Sequence, residues 1–146
     1  AGERLGAAGT LGVWFERERG GRGAPGEVAK AIPDNSDRVP PRGVPGPVPR
    51  LTGAETESMR MPVYSELDVN GHVNTARDAD GLCDALGVEA RRDYRVKTMR
   101  LSYAAEIRPG QEMELHLTRD GLAYHLTGTH EGKTHFEIGG DLARRT

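Results

Sequence analysis

A period of two dominates the last third of the chain. Met99, Leu101, Tyr103, Ala105 and Ile107 alternate with Thr98, Arg100, Ser102 and Glu106, the pattern of a strand with one buried face. After a turn at Pro109-Gly110, Met113, Leu115 and Leu117 alternate with Glu112, Glu114, His116 and Thr118. Asp120-Gly121 is a two-residue hairpin signal, and Leu122, Tyr124 and Leu126 then alternate with His125, Thr127 and Thr129. Glu131-Gly132 turns the chain again into Thr134–Ile138. Upstream the spacing changes to three and four: Ala76, Ala79, Leu82, Cys83 and Leu86 mark a thin stripe on a helix over residues 73–87,. Asn74 or Thr75 can cap that helix and Gly87 can stop it. Ahead of it, Met59–Tyr64 reads as a short strand that Pro62 assigns to a sheet edge,. The expected order is strand, helix, then an antiparallel meander of four strands. One helix and one sheet, each with a single apolar face, must bury those faces on each other. The fold class is α+β.

The first 62 residues lack this order. They hold 11 of the 20 glycines and 8 of the 9 prolines, residues that raise the entropy cost of ordering and remove backbone donors. The run Pro40–Pro49 reads as a semi-extended linker,. Before it, Leu11–Glu18 has the composition of one strand and Gly26–Ile32 that of a short helical turn. A strand without a sheet is unstable alone.

With 146 residues, the chain has room for one domain and a tail. A net charge of -2 gives no field that attracts nucleic acid or anionic lipid. The mean hydropathy is -0.62, and no run approaches the roughly 20 apolar residues of a spanning helix. The single cysteine, Cys83, excludes an intrachain disulfide and fits a reducing, cytoplasmic compartment,. On the helix stripe it reads as a small core residue. The chain starts at Ala1 rather than Met, as expected of a fragment or a processed product.

Chemistry concentrates in Asp68-Val69-Asn70-Gly71-His72-Val73-Asn74, just ahead of the helix. A carboxylate, carboxamides and an imidazole there sit beside unpaired N–H groups and a positive dipole end, where an oxyanion would be stabilised. An imidazole can orient a water or an acyl carbonyl. Taken singly, Asp68 and Asn70 also suit an Asx-turn and a helix cap. His116 and His125 are expected to stand opposite each other across the hairpin, but two ligands are too few for a zinc site, and no metal is expected. His130 and His135 flank a turn and read as solvated. Arg91, Arg92, Arg95 and Arg100 form a basic cluster after the helix, suited to a solvated face or to docking an acidic partner.

The string Asp68–Asn74, followed downstream by Tyr103-Ala104-Ala105-Glu106, resembles the catalytic motif and Tyr-x-x-Glu signature of fatty acyl-acyl carrier protein thioesterases. That resemblance implies a hotdog fold, in which one central helix packs in a curved antiparallel sheet. Members carry two hotdog repeats, and this chain is similar to the second one. Residues 58–146 are thus expected to form a hotdog domain, and residues 1–57 a remnant of a preceding repeat with its Pro/Gly-rich linker. The resemblance implies that Asn70 and His72 orient and polarise a thioester, that Asp68 holds Asn70, and that Glu106 activates water. Val73, Asn74 and Tyr103 are expected to contact substrate. Some members have a cysteine after the glutamate. Here Ile107 stands there, which favours water over a covalent route. Members usually carry asparagine, tyrosine and tryptophan where this chain has Thr75, Asp78 and Gly81. The implied activity is hydrolysis of fatty acyl thioesters on acyl carrier protein, without a cofactor, by a repeat that pairs with another repeat or with a second copy. Hydrolysis of acyl-coenzyme A by a single-hotdog enzyme, and non-catalytic binding of acyl chains, stay open beside it.

Overall fold

The computed structural model describes residues 46–146, together with the backbone of two short paired strands, β1 (Phe15–Glu16) and β2 (Gly21–Arg22). The expected helical turn at 26–32, the rest of the strand at 11–18 and most of the proline run lie outside the described residues. The chain divides into two units, Ala1–Gly46 and Pro47–Thr146.

The second unit holds β3 (Glu55–Arg60), a helix α1 (Asp78–Asp93), β4 (Tyr94–Tyr103), β5 (Met113–Asp120), β6 (Ala123–His130) and β7 (Lys133–Arg144). β3 straddles the expected boundary at 57/58 and ends before Pro62. The five strands form one antiparallel sheet in the order β3-β5-β6-β7-β4. Only β5, β6 and β7 make a meander, so the expected four-strand meander is corrected. β4 crosses to the far edge and pairs with β7, Leu101 opposite Ile138. Alternation reports which face a residue occupies and not which strand lies beside it. The stretch 104–112 is long enough for the chain to step across the sheet end.

Helix α1 lies against β3, β4, β5 and β7, so the molecule is a helix laid on an antiparallel sheet, the hotdog arrangement. Met113, Leu115, Leu117, Tyr124, Leu126, Phe136, Ile138 and Leu142 supply the sheet side of the core, all 5% exposed or less. Large and small residues alternate across neighbouring strands. Leu115 faces Gly128, which faces Phe136, and a Cβ on Gly128 would lie 2.2 Å from the Phe136 ring. Interiors packed at crystal density leave no room for that methyl.

Two further expectations change at the edges. A register shift between Val96 and Thr98 switches the inward phase of β4 from Val96 to Leu101,; Met99 and Tyr103 share the face of Leu101, opposite Gly140 and Phe136, yet on this edge strand they are 42% and 48% exposed. Helical geometry begins at Thr75, not Val73, with a one-turn 3-10 segment (Thr75–Arg77) that runs into α1. Gly87 does interrupt it, at φ 75°, but the chain re-enters helix as far as Asp93.

The Asp120–Ala123 pair closes the β5–β6 hairpin, which shifts the register two residues from the expected one. His116 therefore faces Thr127, and His125 faces Thr118. On the sheet face away from the helix, Pro49 closes over Gly139, Arg100 donates to the Pro47 carbonyl (3.1 Å) and Arg50 pairs with Glu137 (2.9 Å). Those contacts anchor the end of the proline run to the sheet.

Candidate active site

The motif Asp68–Asn74 forms a closed loop. Leu67 bridges Val73, Asp68 N–H donates to the His72 carbonyl (2.8 Å), and Gly71 N–H donates to the Asp68 carbonyl (3.0 Å). Gly71 adopts φ 74°, a left-handed conformation that only glycine takes without steric cost. Inside the loop, Asp68 Oδ1 accepts from the backbone N–H of Asn70 (2.8 Å) and of His72 (3.2 Å). Those two N–H groups, His72 first, hold the Asp68 carboxyl below the usual carboxylate range,. The Asx-turn reading and the Asp68-holds-Asn70 reading are thus the same set of bonds.

The loop is then tied to its neighbours. Val73 N–H donates to the Ile107 carbonyl (2.9 Å) and Asn74 N–H to the Glu66 carbonyl (2.8 Å). Asn74 Oδ1 caps the helix by accepting from Ala76 N–H (3.0 Å),. The N–H groups of Asn70 to Asn74 are therefore all engaged within the chain. None of those five loop N–H groups is left free for a substrate oxygen.

Glu106 does not sit on a strand, as the alternation implied. β4 ends at Tyr103 because Ala104 and Ala105 N–H both turn to the His135 carbonyl (2.8 and 3.1 Å). His135 is 4% exposed, not solvated. Its Nδ1 donates to the Glu106 carbonyl (2.9 Å). This fixes the backbone of Glu106 at the mouth of the loop, where its Oε2 lies 3.6 Å from His72 Nε2. Asp68, Asn70, His72 and Glu106 line one cavity of about 250 Å³. Val73 and Asn74 are in its wall as well. Tyr103 is not among the lining residues; its hydroxyl donates to the Thr75 carbonyl (2.8 Å). Burial, then the nearby Asp78 carboxylate, pushes the Tyr103 hydroxyl pKa up.

Residues 51–142 match the acyl-ACP thioesterase C-terminal domain. The chain belongs to the acyl-ACP thioesterase family. Among solved structures it is similar to the 12:0-ACP thioesterase from Umbellularia californica, with 16% identity and a TM-score of 0.70 over 90% of this chain and 53% of that one. An acyl-ACP thioesterase from Bacteroides thetaiotaomicron gives 20% identity and a TM-score of 0.63 over 73% and 44%. A thioesterase from Thermus thermophilus, complexed with coenzyme A and Zn, gives 20% and 0.55 over 62% and 78%. At these identities the likeness shows the fold. The chain spans about half the length of the two acyl-ACP thioesterases. No curated protein matches it.

One residue of the cavity wall was not among the site residues expected from the sequence. Asp78 also lines the cavity, is 3% exposed, and its Oδ1 has no hydrogen-bond partner among the described residues. Burial drives its carboxyl up to about 6; nearby Arg60 opposes the rise and Glu66 adds to it. Arg60 is 8% exposed. It pairs with Glu66 and lies 3.6 Å from Asp84, while its Nη1 is unpartnered among the described residues. The signal was present: Asp78 lies four residues before Leu82, on the register of the apolar stripe, where a carboxylate is out of place.

Elsewhere, the register shift gives His116 other company. Glu55, Glu57 and His116 place ligand atoms within 4.8 Å of one another, with Glu114 3.7 Å from the same imidazole. The sequence pointed to His125 instead. Of the basic cluster, Arg91 donates to Cys83 Sγ, Arg92 lies 3.5 Å from Glu89 and Arg100 is bonded to Pro47.

Proposed function

We propose that the chain hydrolyses fatty acyl thioesters carried on acyl carrier protein. Family membership makes thioester hydrolysis the ordinary expectation, and the observation that carries the reading is His72 facing Glu106 at 3.6 Å across the mouth of a polar cavity. In the proposed step Glu106 takes a proton from water as the water oxygen adds to the thioester carbon. Asn70 and His72 hold the carbonyl oxygen as it gains charge, and their positions are set by Asp68 and by the closed loop. The carbon–sulfur bond then breaks, the proton passes to the departing sulfur, and a free fatty acid and a thiol remain. Positioned general-base catalysis contributes typically ~10²–10⁴ in rate. No cofactor is needed for this sequence of steps.

The carrier-protein substrate rests on the family's description and on the arginines at the end of α1 that an acidic carrier protein would meet. The exposed apolar residues Val63, Tyr64 and Val69 flank the loop at 57, 90 and 102% exposure. Apolar side chains so placed fit a site completed by another hotdog repeat or a second copy of the chain. Among the described residues no helix is long and apolar enough to cross a membrane; the lone Cys83 fits a cytoplasmic setting. Release of free fatty acid from acyl-ACP and from acyl-coenzyme A by the full chain tests the reading. Faster hydrolysis of acyl-ACP supports it, preference for acyl-coenzyme A replaces the carrier, and no hydrolysis of either removes the enzyme.

A further inference from the structure

At the helix start, Asp78 stands in the wall of the cavity. Gly81 and Arg60 are buried beside it and do not line the cavity. Gly81 leaves room for Arg60: a Cβ there would already lie 3.8 Å from the Arg60 side chain and 3.8 Å from the Phe136 ring. An arginine thus packs over Gly81, one helical turn from a carboxylate. Both groups are at least nine-tenths buried, yet Asp78 Oδ1 and Arg60 Nη1 each lack a hydrogen-bond partner among the described residues. No ion pair closer than 4.0 Å joins them, whereas Arg60 reaches both Glu66 and Asp84 within that limit. An unpaired buried acceptor or donor carries a desolvation penalty, larger when charged. An unsubstituted alkyl chain against Asp78 would leave that penalty in place. A hydroxyl can remove it at Asp78, because an O–H group donates to a carboxylate.

We propose that this cavity is built for a hydroxylated acyl group, whose hydroxyl is held by Asp78. This rests on the thioesterase reading above and narrows its substrate class. Asp78 is then a specificity-determining residue: it discriminates by binding, while Asn70, His72 and Glu106 act on the thioester itself. A site whose buried polar groups need a substrate hydroxyl rejects the analogue lacking it far more strongly than an apolar pocket rejects an added one.

The test compares kcat/KM for 3-hydroxybutanoyl and butanoyl thioesters, on carrier protein and on coenzyme A, for the unsubstituted chain, Asp78→Asn and Asp78→Leu. The unsubstituted chain is expected to prefer the hydroxyacyl thioester by ~10-fold or more, as one hydrogen bond to a buried charged group allows. Asp78→Leu is expected to bring that ratio to about one or below, and Asp78→Asn to fall between. A purely structural Asp78 would lower both rates together and leave the ratio unchanged, which overturns the proposal. So does a butanoyl preference in the unsubstituted chain. If neither thioester is hydrolysed, the hydrolase reading fails separately. The proposal is then read from calorimetric binding of the two non-hydrolysable amide analogues, where equal affinities overturn it and an Asp78-dependent hydroxyacyl preference sustains it.

Discussion

The β5–β6–β7 meander and the first turns of α1 meet in one core but are made of opposite materials. The meander contributes Met113, Leu115, Tyr124, Leu126, Phe136 and Ile138, each 1% exposed or less. Even its one buried phenol is satisfied, by a bond from Tyr124 to the Thr98 carbonyl (2.9 Å). The helix start contributes Leu82, but beside it lie Asp78, Gly81 and the guanidinium of Arg60, with polar atoms left unpaired. The difference teaches where the molecule keeps its stability and where it keeps its chemistry. Dry, interlocked side chains hold the sheet, and the helix laid upon it carries charges that cost folding energy and suit a polar ligand.

The largest expected effect falls on the meander. Phe136→Ala removes the ring that fills the gap over Gly128, and should cost ~3–5 kcal/mol, measured by denaturant unfolding. A cost below ~1 kcal/mol would mean that the sheet does not carry the core.

At the helix start the sign reverses. The folded Asp78 carboxyl holds its proton up to pH about 6, against 3.8 in an unfolded chain. Between those values the folded state binds more protons, so this group's contribution makes stability fall as pH rises through the window. Asp78→Asn should therefore stabilise the chain by roughly 2–3 kcal/mol above pH 7, with the gain vanishing by about pH 4. Thermal melts across that range check it, and a loss of stability at every pH would show that Asp78 is well paired after all.

The smallest effect belongs to the cap. Asn74→Ala removes the acceptor for Ala76 N–H and should cost ~1 kcal/mol. If hydrolysis per folded molecule falls as well, Asn74 serves the substrate in addition to the helix; if only the melting temperature moves, it is a cap.

How much of this was legible follows from what each signal encodes. Alternation placed Met113, Leu115, Leu117 and Leu126 on the buried face, because a strand buried on one face must repeat every second residue. It could not show that β4 lies beside β7, nor the bulge after Val96 that switches the strand's inward phase, since both depend on pairing partners. The hairpin after β5 was recognised from Asp120-Gly121, yet the register needed the closing pair Asp120–Ala123. Within the site, Asp68 to Asn74 was legible as a motif with an Asx-turn, whereas its closure through Leu67 and Val73 was not. Glu106 was found by resemblance, but its loop setting arises from two N–H groups sharing the His135 carbonyl, a contact between residues about 30 apart. Asp78 was written in the sequence as a charge on an apolar register, and it becomes meaningful only once Arg60 is seen across Gly81.

The most direct measurement is single-turnover hydrolysis of acyl-ACP by the Glu106→Gln chain beside the unsubstituted one, with thermal melts of both. A carboxamide keeps the size of Glu106 and cannot take a proton from water. The rate should fall by ~10²–10⁴ while stability changes by less than ~1 kcal/mol. Undiminished hydrolysis by a folded Glu106→Gln chain would contradict the assignment of water activation to Glu106.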